Sequence, residues 1–373
     1  MIAFLRRGAP AALLAALVAC SSSETTTGGT GGSSTGSTGS TTGSETSSTS
    51  STGGGTIDPP PAGDTTYAAI KAAEAFLATL DATQTKAVSF AFTDDAQRIK
   101  WSNLPTGIFQ RSGVKLGSMT AAQQKAAFDL LAAILSPKGY QQVVDTVNAD
   151  EALKQGSSGG MLVFGRDEYY VAILGTPSAT SPWRVQFGGH HLAINATIVG
   201  AAITLAPSLT GAQPASYVLN GATIRPQGIE LDRAFELVNA LDATQQKKAI
   251  IGAAYINLVL GPGKDGMVLA PEGVQASTLT AAQQTLLLQL IADRVEILNV
   301  EDAALRMTEI KANLADTYFA WSGPTTAGSA AYYRVTGPTL AIEYSPQMGG
   351  SPTDHTHAMY RDPTNDYGKA LIK

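Results

Sequence analysis

The chain of 373 residues contains a single cysteine, Cys20, which excludes intrachain disulfides and cysteine-based zinc fingers. Charged residues make up only 15% of it, its formal net charge is −5, and no basic block suggests a nucleic-acid partner. After residue 20, no apolar run is long enough to span a bilayer. A nucleophile elbow, a Walker loop and a dinucleotide fingerprint are also missing, so serine hydrolase, NTPase and Rossmann oxidoreductase functions lose support.

The N-terminus has the pattern of a bacterial export signal. Arg6 and Arg7 precede a short apolar run over 9–19, and the ending Leu-Val-Ala-Cys resembles a bacterial lipobox. This resemblance implies cleavage after residue 19 and lipidation of Cys20; an ordinary signal peptide with Cys20 near its cut site is the alternative. Ser21 in place of Asp indicates sorting to the outer membrane. We therefore expect residues 1–19 to be a lipoprotein signal peptide, and the protein to be anchored in the outer membrane, facing the periplasm or the exterior.

Two further regions follow from composition. Residues 20–64 are nearly all Ser, Thr and Gly, with little apolar surface to bury, which predicts a disordered tether that spaces the body from the membrane. Residues 65–373 are long enough and apolar enough to form a globular body with a sizeable core.

The body contains repeated sequence motifs, which indicate two related halves, about 65–210 and 226–373. Leu80–Gln84 recurs as Leu241–Gln245, 161 residues later, and Met119–Gln124 is matched by Leu279–Gln284, 160 residues later. Chance similarity between Ala-rich helices is the alternative.

The repeated words also predict local structure. An Asp or a Thr stands three residues before a Gln in each word, the pattern of a capping box, which predicts a helix beginning after Asp81, Thr120, Asp242 and Thr280. Short β-rich runs then follow in each half, at 161–164, 169–174, 183–187 and 191–205, and at 318–321, 332–335, 340–344 and 355–360. This order predicts an α+β fold in which each half has helices followed by a short antiparallel sheet.

The chain has four histidines, and they form two pairs: His190-His191 and His355-x-His357. On a strand, residues i and i+2 share a face, so His355 and His357 can bind one ion together, whereas His190 and His191 point to opposite sides. Three histidines with an open position are typical of catalytic zinc, and copper is the alternative metal. His191 is the preferred third ligand because Asn195 shares its face, although a bulge at the preceding glycines would select His190 instead.

Other residues have weaker claims on the site. Asp354 is a candidate fourth ligand or acceptor for an imidazole N–H, and Asp354 or Glu343 is the candidate base of a metal-dependent hydrolase. Arg361 either clamps a substrate carboxylate or phosphate, or forms an ion pair with neighbouring Asp362. The histidines could alternatively act without metal, or be structural. A non-catalytic surface protein that binds a ligand or partner is the alternative function, and nothing specifies whether a substrate is a small molecule or a polymer.

The combination of sequence motifs in this chain resembles a known family. The words are Trp101, Pro105, Arg111-x-Gly113-Val114, Thr120-x-x-Gln123, Gly139-Tyr140, Gly175-x-Pro177-Ser178, Trp183-Arg184, Gly188-Gly189-His190-His191-Leu192, Tyr332-Tyr333-Arg334, His355-x-His357 and Arg361-Asp362-Pro363-Thr364-Asn365-Asp366-Tyr367-Gly368. Together they resemble the domain-of-unknown-function family numbered 3500, over essentially the whole body from about residue 70. The resemblance implies an exported bacterial protein and supplies no reaction.

Overall fold

A computed structural model of the protein describes residues 63–157, 160–348 and 350–372. The predicted signal peptide, Cys20 and the predicted tether up to residue 62 lie outside these residues, so those statements remain predictions. Within the described residues the fold is α+β, with nine α-helices and one large mixed sheet. None of the helices in these ranges combines the length and apolar character that crossing a bilayer requires.

The described residues contain nine α-helices, and four of them begin where the capping pattern predicts. The nine helices are α1 (Asp64–Ala78), α2 (Ala82–Val88), α3 (Asp95–Arg98), α4 (Ala121–Ile134), α5 (Pro137–Gly156), α6 (Gly228–Ala240), α7 (Ala243–Ala249), α8 (Ala281–Val295) and α9 (Val300–Ala312). Asp81, Thr120, Asp242 and Thr280 cap α2, α4, α7 and α8, and each forms the complete capping box with the Gln three residues later. The four predicted helix starts are therefore confirmed.

The strands are β1 (Ser89–Phe90), β2 (Val114–Lys115), β3 (Tyr170–Leu174), β4 (Trp183–Gly189), β5 (Leu192–Val199), β6 (Ala202–Thr204), β7 (Ser208–Ala212), β8 (Tyr217–Leu219), β9 (Ala222–Ile224), β10 (Ile250–Gly252), β11 (Val274–Gln275), β12 (Tyr318–Ser322), β13 (Tyr332–Gly337), β14 (Leu340–Pro346) and β15 (Thr356–Arg361). The main path of the sheet runs β1-β3-β4-β5-β7-β15-β14-β13-β12-β10. Strands β2, β6 and β11 pair with β3, β5 and β12, and β8 and β9 form a separate hairpin.

The sheet differs from the prediction in two ways. The expected short sheet in each half is wrong, because β7 pairs with β15 and joins the 13 strands other than β8 and β9 into one sheet. The pairing is mixed rather than antiparallel throughout, since β1 and β10 join β3 and β12 in parallel. Without the β7–β15 contact each sheet would end in a strand with unpaired backbone N–H and C=O groups, which is unfavourable.

The two faces of the sheet are covered differently. The helices other than α3 pack on one face over the large core, which includes Ala358 and Tyr360 of β15. Met359 belongs to a smaller cluster with Trp101 and Leu260, which come from the irregular segments between β1 and β2 and between β10 and β11. Because side chains alternate along a strand, His357 and Arg361 lie on the Met359 side, which we call the loop face.

Gly211 of β7 gives a test of this packing. It pairs with His357, and an added Cβ would lie 2.5 Å from Cδ2 of His357 and 3.0 Å from Cδ2 of His191. Gly211→Ala should therefore destabilise the fold by about 1–3 kcal/mol, the usual cost of overpacking, measured by urea unfolding. Gly156→Ala is the control, because a Cβ there meets nothing within 4 Å. Equal stability of the two variants would contradict this packing.

Candidate metal centre

His190 and His191 form the two-residue turn between β4 and β5. The pairing of Gly189 with Leu192 closes this hairpin directly beneath them. Their imidazole rings lie side by side, with centroids 3.7 Å apart, although adjacent strand residues would point to opposite faces. The expectation that the two rings point to opposite sides is wrong, because strand alternation does not apply in a turn, and the preferred His191 is joined in the group by His190.

The pairing of β5, β7 and β15 brings the second pair of histidines to this turn. Leu192 pairs with Thr210, and Gly211 on the same strand pairs with His357. His355 lies directly before β15, and its Nε2 is 3.1 Å from Nε2 of His191, although 164 residues separate them in sequence. The predicted approach of the two pairs is present.

Three imidazoles form a group that could hold a metal ion. One ring nitrogen from each of His190, His191 and His355 lies within 4.8 Å of the others. Two nitrogens bound to a tetrahedral metal at 2.0–2.1 Å lie roughly 3.3 Å apart, close to the separation of His191 and His355. The three side chains are at most 9% exposed, so water competes little for this position.

Asp150 at the C-terminal part of α5 orients this group. It is fully buried, and its Oδ1 is 2.9 Å from Nδ1 of His190 and 3.7 Å from Nδ1 of His191. Burial raises the pKa of Asp150, but hydrogen bonding to the two histidines outweighs burial and lowers this pKa below its usual range. Because an ionised carboxylate only accepts hydrogen bonds, His190 donates through Nδ1, which leaves Nε2 as its ligand atom.

Burial favours the neutral form of these histidines, which is the form that binds metals. Burial lowers the pKa of His191 and of His355 to about 4, and it also lowers the pKa of His190. His355 donates from Nδ1 to the carbonyl oxygen of Met348 at 3.0 Å, which leaves its Nε2 lone pair free. Two of the three tautomers are thus set by acceptors outside the group.

His357 lies beside the group and outside it. Its ring centroid is 5.3 Å from that of His191 and 5.1 Å from that of His355. Its Nδ1 is 3.3 Å from Nδ2 of Asn103, and its buried Nε2 has no hydrogen-bond partner among the described residues. The expected pairing of His355 and His357 on one ion is therefore replaced by a group in which His190 takes the place of His357. The reason is geometric, because both residues of the hairpin turn reach the site.

The other sequence candidates have different surroundings. Asp354 is exposed, and its Oδ1 accepts a hydrogen bond from the backbone N–H of Ala215 at 3.0 Å. Glu343 is fully buried, and its carboxylate accepts from Val259 N, Leu260 N and the hydroxyl of Tyr332. Neither carboxylate belongs to the histidine group.

Arg361 forms ion pairs, which is one of its two predicted roles. Its Nη1 is 2.7 Å from Asp366 and 3.0 Å from Asp265, and its side chain is 1% exposed. The predicted partner is wrong, since Asp362 instead pairs with Arg306 at 3.0 Å. With two carboxylates on its guanidinium, Arg361 is not free to clamp a substrate.

Sequence reasoning missed Asp150 and Asn103. Asp150 follows Val143 by seven residues and Val147 by three, so it shares the buried face of α5 with them. A carboxylate on an apolar helix face is costly unless it has a partner, and this pattern could have identified it. Asn103 lies in an irregular segment and has no comparable signal.

The comparisons with known proteins agree with the resemblance noted from the sequence. A family model described as "Protein of unknown function (DUF3500)" matches residues 62–369. No curated protein and no solved structure matches the chain. The match covers most of the chain and includes all four histidines and Asp150, and on this basis the protein belongs to the DUF3500 family.

Proposed function

We propose that this protein is an envelope-anchored metalloprotein that binds one divalent ion through His190, His191 and His355. The observation that carries the proposal is the convergence of three buried, neutral imidazoles whose orientation is set by Asp150 and by the carbonyl of Met348. Carboxylate and carbonyl acceptors on the far nitrogen of a histidine are the usual partners of metal-binding imidazoles.

The protonation of His191 supports a cation rather than a simple hydrogen-bond network. Its Nε2 lies 3.1 Å from Nε2 of His355, which carries a lone pair. With a proton on Nδ1, His191 would bring a second lone pair against that of His355. With a proton on Nε2, it would leave a buried Nδ1 lone pair 3.7 Å from the Asp150 carboxylate. A bound cation accepts both Nε2 lone pairs and leaves the Nδ1–H of His191 near Asp150, which removes either conflict.

Zinc is the preferred ion and copper the alternative. Three imidazole nitrogens without thiolate or thioether suit Zn²⁺, and they leave a fourth position for water or substrate. Zn²⁺ in such a site lowers the pKa of bound water to about 7, so a metal-dependent hydrolase is the reaction class that we favour. In this proposal Asp150 and Met348 orient the ligands, while Glu343 and Arg361 hold the neighbouring loop.

Burial supports a second candidate, a non-catalytic protein that binds a ligand or partner. His191 is 0% exposed and His357 is 2% exposed, so the ion would sit beneath the surface, as in structural metal sites. In that case the metal would tie the hairpin turn, β15 and α5 together and stabilise the fold.

We infer from the sequence that the protein is an outer-membrane lipoprotein facing the periplasm or the exterior. The lipobox-like ending at Cys20 and the charged and apolar segments before it support this. Residues 20–62, which precede the N-cap of α1, would then act as a disordered tether.

We also infer that the body arose by duplication. Short strands β1 and β10 join the first long strand of each half in parallel, which supports this inference. The capping glutamines support it further: Gln123 donates to Gln84 at 2.8 Å, and Gln283 donates to Gln245 at 2.7 Å.

The first prediction concerns metal content. Protein stripped with a chelator, reloaded with Zn²⁺ and dialysed should retain one ion per chain by elemental analysis. His191→Ala and His355→Ala should each lose most of the affinity, because three ligands become two. His357→Ala is the matched control, and it should retain the ion because this residue lies outside the group. A wild-type protein without metal, or full retention by His191→Ala, would contradict the proposal.

The second prediction concerns Asp150. Asp150→Asn keeps the shape of the side chain but removes the charge that orients His190, so we expect Zn²⁺ affinity to fall about 10–100-fold. Competition with a chromogenic chelator measures this. The exposed Asp129→Asn, on the outer face of α4, is the control and should bind normally. Unchanged affinity of Asp150→Asn would show that this carboxylate does not support the metal.

The third prediction concerns the anchor. Cys20→Ser should move the protein out of the membrane fraction, because the thiol that carries the lipid is lost. Fractionation of cells and immunoblotting measure this change. Ser21→Asp is the matched control: it keeps the lipidated cysteine and should leave the protein in a membrane fraction. Membrane retention of Cys20→Ser would refute the lipoprotein assignment.

A further inference from the structure

A cavity of about 400 Å³, with a lining of mixed polar and apolar residues, adjoins the histidine group on the loop face. Its lining includes Asn103, Asn257, Lys264, Gln347 and Met348. This volume lies within the range of roughly 300–1,000 Å³ that is typical of small-molecule sites. A larger groove of about 870 Å³ runs along α8 and α9, but none of the residues that hydrogen-bond to the histidine side chains lines it.

Two lining residues contact histidine rings directly. Asn103 Nδ2 lies 3.3 Å from Nδ1 of His357, and the carbonyl oxygen of Met348 accepts from Nδ1 of His355 at 3.0 Å. The backbone N–H of Gln347 also donates to the carbonyl of His355 at 2.8 Å. A single histidine side chain, that of His355, therefore separates the wall of the cavity from the proposed metal ion.

Buried charges hold one wall of the cavity in place. This wall comes from the 21-residue segment 253–273 between β10 and β11, which has no regular structure. Glu343 accepts from Leu260 N at 2.6 Å, and Arg361 donates to the carbonyls of Leu260 at 2.8 Å and Gly261 at 3.1 Å. Long irregular segments in compact domains are commonly functional, and a fixed one reduces the entropy lost when a ligand binds.

Two polar side chains of this segment have no partner, whereas its carboxylate Asp265 pairs with Arg361. The Lys264 ammonium and the Asn257 amide are exposed, and neither has a hydrogen-bond or ion-pair partner among the described residues. Lys115 and Lys138, in contrast, pair with carboxylates. The cavity lining contains no Asp or Glu, so its one charge is positive.

We propose that this cavity binds a small polar molecule carrying a carboxylate or phosphate group, with Lys264 as the anion contact and Asn103 and Asn257 as hydrogen-bond partners. The ammonium supplies charge and donors, and the amides supply both donors and acceptors. The role of this molecule as a substrate rests on the proposed metal function, whereas its binding at Lys264 does not.

Isothermal titration calorimetry on the full chain tests the proposal, with inorganic phosphate and acetate as separate probes and glycerol as the neutral control. At least one anion should bind saturably, and the stronger of the two identifies the preferred group. Lys264→Gln should raise the Kd about fivefold, the size of an exposed ion pair, and Lys264→Arg should restore binding. Lys311→Gln is the matched control, because this exposed lysine lies on the distant groove.

Two results would overturn the proposal: no saturable binding of either anion, or equal Kd values for wild type and Lys264→Gln. The second would mean that the anion binds elsewhere, for example on the metal alone. The titration is repeated on metal-stripped protein. If the protein takes up no metal on reloading, the metal centre is refuted. If the stripped protein still binds an anion in a manner that depends on Lys264, the proposed cavity site stands independently of the metal.

Discussion

The antiparallel pairing of β7 with β15 is the contact on which the site depends. Through it Gly211 lies against His357, while β7 also pairs with β5 and so reaches the turn that carries His190 and His191. The backbone N–H of Gly211 donates to the carbonyl of His191 at 2.6 Å, which ties the turn to the seam. Only glycine fits there, because any Cβ would meet two imidazoles. The backbone hydrogen bonds between β7 and β15 thus join the two parts of the sheet and bring the histidines together.

Burial then determines the chemistry of this group. Removing imidazoles from water disfavours their charged form, so the histidines stay neutral and keep lone pairs for a metal. The same desolvation would raise the pKa of Asp150, but the adjacent histidines keep it ionised and it fixes their orientation. The neutral imidazoles, beside one buried carboxylate, thus form a group that could hold a metal ion.

Buried polar groups on the loop face have a related role at longer range. Glu343 and Arg361 satisfy backbone groups of segment 253–273, which would otherwise be buried without partners. In doing so they place Asn257 and Lys264 at the cavity beside the histidines. Residues that resemble a base and an anion clamp in the sequence therefore act through the segment that they hold. The lining of this cavity therefore depends on two charged side chains that do not themselves line it.

The sequence by itself determined the family, the helix starts and the occurrence of the histidines as two pairs, because these features depend on short sequence motifs. A Thr three residues before a Gln forms a capping box wherever the chain folds, as Thr120 and Thr280 do. The sequence did not determine the single sheet or the exact histidine group. The single sheet depends on β7, a short strand with Gly and Thr that lacks a clear pattern. The histidine group depends on a turn at His190 and His191, where side chains do not alternate as they do along a strand. Tertiary structure alone decided that Asp150, which is local to α5, meets histidines 40 residues away. Burial and partner choice are properties of the assembled fold, and no local pattern contains them.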